Sequence, residues 1–132
     1  MAAGDRALVL FAHGARDARW REPFERLQQK LVAALPGCAV RLAFLELMSP
    51  LLADALAELA AAGVTEVTVV PVFFGQGGHI RRDLPALIDQ CRQAHPGLRI
   101  HCAAAVGESD AVLEAIAAYC VASLRAASPD ET

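Results

Sequence analysis

The sequence predicts an α/β domain, a four-stranded parallel sheet with helices on both faces. Three observations lead there. Short apolar runs alternate four times with segments whose apolar residues recur at helical spacing. The run from Glu66 to Phe74 is almost wholly apolar, as in a central strand covered on both faces. At 132 residues and 55% hydrophobic, the chain has material for one core, built from Leu, Val, Ile and Ala because aromatic residues make up only 5%.

The first strand is expected at about Arg6 to Ala12. The first helix follows, with Pro23 tolerated in its first turn and a stripe of Phe24, Leu27, Leu31 and Leu35, and Pro36-Gly37 ends it. The second strand is placed at Ala39 to Leu47. Ser49-Pro50 then reads as an N-cap with Pro at the first helical position, before a helix carrying Leu52, Leu56 and Leu59 that stops at Gly63. After the third strand, the loop Gly75-Gln76-Gly77-Gly78-His79 leads to a helix entered near Asp83-Leu84-Pro85, with Asp83 as its N-cap. That helix buries Leu84, Leu87, Ile88 and Cys91 and breaks at Pro96-Gly97. The fourth strand is expected at Leu98 to Ala105, and Ser109 caps a last helix with the stripe Leu113, Ile116, Cys120 and Leu124. Residues 1–127 thus read as one domain and 128–132 as a loose tail. Strand order is left open, and so small a sheet has edges that need a partner.

Composition narrows the function classes. No apolar run approaches the ~18 residues of a membrane span, and residues 1–6 lack the pattern of a secretory leader. A cytoplasmic location is expected. Cys38, Cys91, Cys102 and Cys120 are scattered, without a Cys-x-x-Cys pair, and read as small buried hydrophobes in a reducing compartment. A net charge of −3 argues against nonspecific nucleic-acid binding. Yet Arg16, Arg19 and Arg21 follow one histidine, and Arg81 and Arg82 follow another. If those loops converge they form a positive patch suited to a polycarboxylate or phosphate; solvated helix-end arginines are the alternative.

The two histidines, His13 and His79, each lie beside glycine just past an apolar strand. In a parallel sheet the carboxyl edge is where ligands bind, so paired imidazoles there suggest metal chemistry. Glu46, inside the run Leu42–Met48, falls on the same edge, as an exposed strand end or as ligand, proton acceptor or orienter of a histidine. Other readings fit less well. A histidine-phosphatase site wants Arg before the His, where this chain has Ala12. A phosphate-binding loop wants a Lys and a hydroxyl that the Gly75–His79 loop lacks, although Gly77 and Gly78 still allow close backbone approach to a flat ligand. His95 and His101 are assigned structural roles.

Taken in order, His13-Gly14-Ala15-Arg16-Asp17, Phe44-Leu45-Glu46 with Pro50, Pro71-Val72-Phe73-Phe74, and Gly78-His79 through Asp83-Leu84-Pro85 resemble the small, single-domain sirohydrochlorin chelatases. These are class II tetrapyrrole chelatases of the cobaltochelatase type. The similarity runs from about Leu8 to Leu124. One departure is Ala15, where the family commonly has Ser. The resemblance implies a flavodoxin-like half-domain and ATP-independent insertion of Co²⁺, or Fe²⁺ or Ni²⁺, into a sirohydrochlorin-type macrocycle. It implies no tightly bound cofactor, the metal being substrate. His13 and His79 would deliver the metal and accept protons, with Glu46 as a third participant. Arg16, Arg19, Arg81 and Arg82, with Gly77 and Gly78, would meet the macrocycle and its carboxylates, and Phe73, Phe74 and Met48 could line its face. Larger members have two such lobes, so this chain would build its cleft as a homodimer. The competing expectations are a non-catalytic metal or tetrapyrrole carrier and another enzyme binding an anionic substrate at the same edge.

Overall fold

A computed structural model describes residues 5–75 and 77–127, with the backbone alone for Gly78, His79 and Arg81. The expected tail at 128–132 and the loop residue Gln76 lie outside the described residues.

The chain runs β1 (Arg6–Ala12), α1 (Glu22–Ala34), β2 (Ala39–Phe44), α2 (Leu52–Ala61), β3 (Glu66–Pro71), α3 (Gly78–Ala94), β4 (Arg99–Cys102) and α4 (Asp110–Ala126). Short 3-10 turns at Ala18–Arg21 and Val106–Glu108 precede α1 and α4. All strands are parallel, in the order β2-β1-β3-β4. The step from β1 to β2 runs one way across the sheet, and the next two steps run the other way. Right-handed crossovers therefore put α1 on one face and α2 and α3 on the opposite face.

The core follows that division. On the α2–α3 face, Val9, Phe11, Val67 and Val69 meet Leu52, Leu56, Leu59, Ile88 and Cys91, all buried. On the α1 face, Leu10, Leu42 and Phe44 meet Trp20, Phe24 and Leu31. The alternation of side chains along β1 divides Val9 and Phe11 from Leu10 and Ala12. Leu56 has no exposed surface, and burial of a side chain of that size contributes about 1.5–3 kcal/mol.

Several sequence-based boundaries move. β2 ends at Phe44, three residues before the expected Leu47, because the chain folds back there: the Phe44 N–H donates to the Pro50 carbonyl at 2.9 Å. Ser49 caps nothing; α2 starts at Leu52 after Leu51, without a side-chain cap. β3 ends at Pro71 rather than Phe74, and β4 spans only Arg99–Cys102. α3 begins at Gly78, five residues earlier than expected, so Asp83 and Pro85 lie inside the helix and Asp83 is no N-cap. Glycines at its start hid the helical pattern, since Gly disfavours helix intrinsically. Ser109 does cap α4, its Oγ accepting from the Val112 N–H at 3.4 Å. The stripe expected to bury α4 stays exposed, however, and no residue of that helix is buried. The α1 stripe is likewise only half used, with Leu27 and Leu35 exposed.

Candidate metal and tetrapyrrole site

The carboxyl edge of the sheet carries the site. Backbone pairing continues past the ends of β1 and β2: the Leu45 N–H donates to the Ala12 carbonyl at 2.9 Å, and the Glu46 N–H to the His13 carbonyl at 3.2 Å. These bonds hold His13 and Glu46 side by side. Between them the turn depends on Gly14, whose φ is +100° and whose hydrogen faces the Glu46 carbonyl so closely that a Cβ would overlap it.

His13 Nε2 lies 3.4 Å from Glu46 Oε2, with both side chains about half exposed. Phe73 meets the His13 imidazole edge-on (ring centroids 6.2 Å apart, planes at 73°), and Phe73 in turn meets Phe11 edge-on at 5.5 Å. The imidazole thus meets a buried aromatic ring while about half of its surface stays exposed. A divalent ion held about 2.1 Å from each donor would fit a 3.4 Å bite at an angle of roughly 108°, close to tetrahedral. Among the described residues no third His, Cys, Asp or Glu completes a metal cage.

A cleft of about 630 Å³ opens beside this pair, lined by Phe11, His13, Leu45, Glu46, Gly75, Gly77, Ile80, Asp83, Leu84 and Leu87. Its walls are mostly apolar, with a few polar groups among them, the usual make-up of a small-molecule site. Sequence reasoning had set Ile80, Leu84 and Leu87 aside as core or left them unremarked; the cleft uses the end of α3 that the helical stripe alone could not distinguish from packing. The early start of α3 puts His79 in its first turn, one turn before the cleft-lining Asp83.

The arginines divide. Arg19 is tied to Asp17, with Nη2 2.8 Å and Nε 3.2 Å from its carboxylate, and Asp17 also accepts from the Arg19 N–H. The guanidinium lowers the Asp17 carboxyl below its ordinary value, and the carboxylate raises Arg19. Arg19 thus closes its own turn through a surface pair, with 84% of its side chain still exposed. Arg21 is a structural clamp that sequence reasoning grouped with the patch: it donates to the Ser49 carbonyl at 3.0 Å and lies 5.1 Å above the Phe44 ring. Arg16 and Arg82 are exposed. For His79, Arg81 and Gly78 only the backbone placement is described, at the start of α3. Phe73 is buried and belongs to the core, Met48 packs toward α1, and Phe74 is 68% exposed. Of the remaining histidines, His95 ends α3, its N–H donating to the Cys91 carbonyl, and His101 is exposed on β4.

Fold and site together define a class: a parallel α/β lobe that presents an imidazole–carboxylate pair at the carboxyl edge, over an apolar cleft. The chain belongs to the CbiX family, which it matches over residues 7–121. It is 33% identical over 82 residues to a protein from Methanopyrus kandleri named sirohydrochlorin cobaltochelatase, covering 62% of this chain and 57% of that protein. A protein of the same name from Saccharolobus solfataricus is 33% identical over 81 residues, 61% of this chain and 62% of that one. The matched region thus spans about three fifths of the length of these relatives. Among solved structures, a CbiX protein from Marinobacter aquaeolei VT8, provisionally described as one of cobalamin (vitamin B12) biosynthesis, superposes with a TM-score of 0.81 at 33% identity, covering 92% of this chain and 99% of that one. The sirohydrochlorin chelatase SirB from Bacillus subtilis subspecies spizizenii, solved in complex with cobalt, shares the fold at a TM-score of 0.73 and 22% identity, over 86% of this chain and 49% of that one.

Proposed function

We propose that the protein inserts a divalent metal, Co²⁺ foremost and Fe²⁺ or Ni²⁺ by the same chemistry, into sirohydrochlorin or a closely related tetrapyrrole without nucleotide hydrolysis. The observation that carries this reading is the His13–Glu46 pair, 3.4 Å apart above an apolar cleft, in a chain of the CbiX family. Insertion exchanges one M²⁺ for two pyrrole protons. The metal must be held loosely enough to pass to the macrocycle nitrogens, and imidazole with one carboxylate meets that need better than a thiolate cage. The departing protons need acceptors near neutral pH, and His13 and Glu46 are at hand to relay them to solvent. His79, at the first turn of α3, is the second metal-delivering imidazole in this reading.

Arg16, Arg19, Arg81 and Arg82 meet the peripheral carboxylates of the macrocycle, while the backbone at Gly77 and Gly78 lets its flat face approach. One lobe supplies one wall of a cleft, so the working form is a homodimer. Its place is the cytoplasm: all four cysteines are free, as suits a reducing compartment, and no helix among the described residues is long and apolar enough to cross a membrane.

The test is an absorbance assay with purified protein, sirohydrochlorin and Co²⁺, against a control without enzyme and the His79→Ala variant. Acceleration that disappears in the variant supports the proposal. A rate no faster than the spontaneous one with Co²⁺, Fe²⁺ and Ni²⁺ alike would overturn it, and retained tetrapyrrole or metal binding in that case would identify a carrier.

A further inference from the structure

Leu47 holds a backbone conformation that its side chain disfavours. Its φ is +67°, and among the described residues it is the one non-glycine with a positive value. That region suits Gly and Asn; for other L residues the Cβ crowds the following carbonyl. The surroundings impose it. The Glu46 N–H donates to the His13 carbonyl at 3.2 Å, and the Met48 N–H donates to the Glu46 carbonyl at 2.8 Å. The Phe44 N–H donates to the Pro50 carbonyl at 2.9 Å, and Arg21 holds the Ser49 carbonyl at 3.0 Å. The turn thus fixes Glu46 beside His13 and makes Leu47 its central residue.

Burial in this chain offsets little of the cost. Leu47 is 54% exposed, whereas nearby Leu45 and Met48 pack against the two halves of the core. Gly or Asn would take the same backbone at lower cost and keep its hydrogen bonds. What neither supplies is apolar surface.

In the sheet order β2-β1-β3, His13 follows β1, Glu46 and Leu47 follow β2, and Phe74 follows β3. Adjacent strands lie about 4.8 Å apart, so the ends of β2 and β3 stand roughly 10 Å apart with β1 between them. Leu47 and Phe74, the latter 68% exposed, are chain neighbours of the cleft-lining residues Glu46 and Gly75. Among the described residues, the other large exposed apolar side chains belong to α1, to its end at Leu35, to α4, or to Leu51, which pairs with Phe44. Met48, which the resemblance assigned to the macrocycle face, packs toward α1. The exposed apolar residue next to Glu46 is Leu47 instead.

We propose that Leu47 is a substrate-binding residue, held out by its turn so that its isobutyl group meets the flat face of the tetrapyrrole on the Glu46 side of the cleft. Phe74 takes the other side of His13. The inference rests on the tetrapyrrole reading above and adds a residue that sets affinity for the ring without touching the metal. An apolar contact made equally to the bound ring and to the transition state acts on binding rather than on the chemical step.

The test is equilibrium binding of metal-free sirohydrochlorin to the full chain, followed by its absorption, for wild type, Leu47→Asn and Leu47→Met. Asn tolerates a positive φ but offers a polar group. Leu47→Asn should therefore unfold at no lower urea concentration than wild type, yet bind the ring about tenfold more weakly. Leu47→Met returns apolar surface at the same point and should recover most of that affinity. Co²⁺ absorption should be the same in both variants as in wild type, because His13 and Glu46 keep their places. Equal ring affinity in Leu47→Asn and wild type would overturn the inference, as would a Leu47→Met no better than Leu47→Asn. Loss of the Co²⁺ signal together with ring affinity would also overturn it, since Leu47 would then act by placing Glu46. The predicted binding pattern in a wild type that inserts no metal would leave this inference standing and overturn the insertion reading. A wild type that binds no ring would overturn both.

Discussion

Gly14 shows how little tolerance the site has at the level of one residue. Its φ of +100° and the crowding against the Glu46 carbonyl together exclude a side chain. Gly14→Ala should cost about 1–3 kcal/mol of stability, read from urea unfolding, and should displace Glu46 from His13 as well. His13→Ala behaves differently. The imidazole is half exposed, so unfolding should shift by less than about 0.5 kcal/mol, while metal insertion falls by roughly 100-fold or more if proton acceptance is lost. Glu46→Gln keeps the shape and removes the charge, so its loss in rate should be smaller than that of His13→Ala in the same assay. His13 and Glu46 were legible in the sequence because a polar residue ending an apolar strand stands out. The Arg19–Asp17 contact was not legible: the sequence groups Arg19 with the arginines near His13, and only the fold shows its pairing with Asp17 two residues away.

Among the elements, the strands and helices were readable from periodicity, and their ends were not. The reason is specific to the carboxyl edge. Leu45 and Phe73 extend the apolar runs of β2 and β3 past the ends of those strands, because one lines the cleft and the other supports His13. Apolar character there serves the site and the core beneath it rather than the ladder. α4 is the larger departure: its stripe has the right period for packing, yet no residue of the helix is buried. Leu56→Ala, in the fully buried face of α2, should cost about 2–5 kcal/mol in chemical unfolding. Ser109→Ala removes the cap of α4 and should cost about 1 kcal/mol; hydrogen exchange should then show faster exchange confined to the first turn of that helix.

For the whole molecule, the cysteines report on packing. Burial pushes the Cys91 thiol up, and also that of Cys102, where nearby Arg92 partly offsets it. A raised pKa means less thiolate at any given pH, so both should react with a thiolate-requiring reagent only slowly at mildly alkaline pH and faster as pH rises further. Cys120, exposed on α4, should react before either of them at the same pH.

Co²⁺ binding to the unmodified protein tests the central claim most directly, because it isolates the imidazole–carboxylate pair from the macrocycle. Titrating Co²⁺ and following its visible absorption bands should show a weak, saturable shift characteristic of nitrogen ligation in the wild type. His13→Ala should abolish that shift while leaving the far-ultraviolet circular dichroism unchanged. An unaltered Co²⁺ spectrum in folded His13→Ala would contradict the assignment of His13 as the residue that presents the metal.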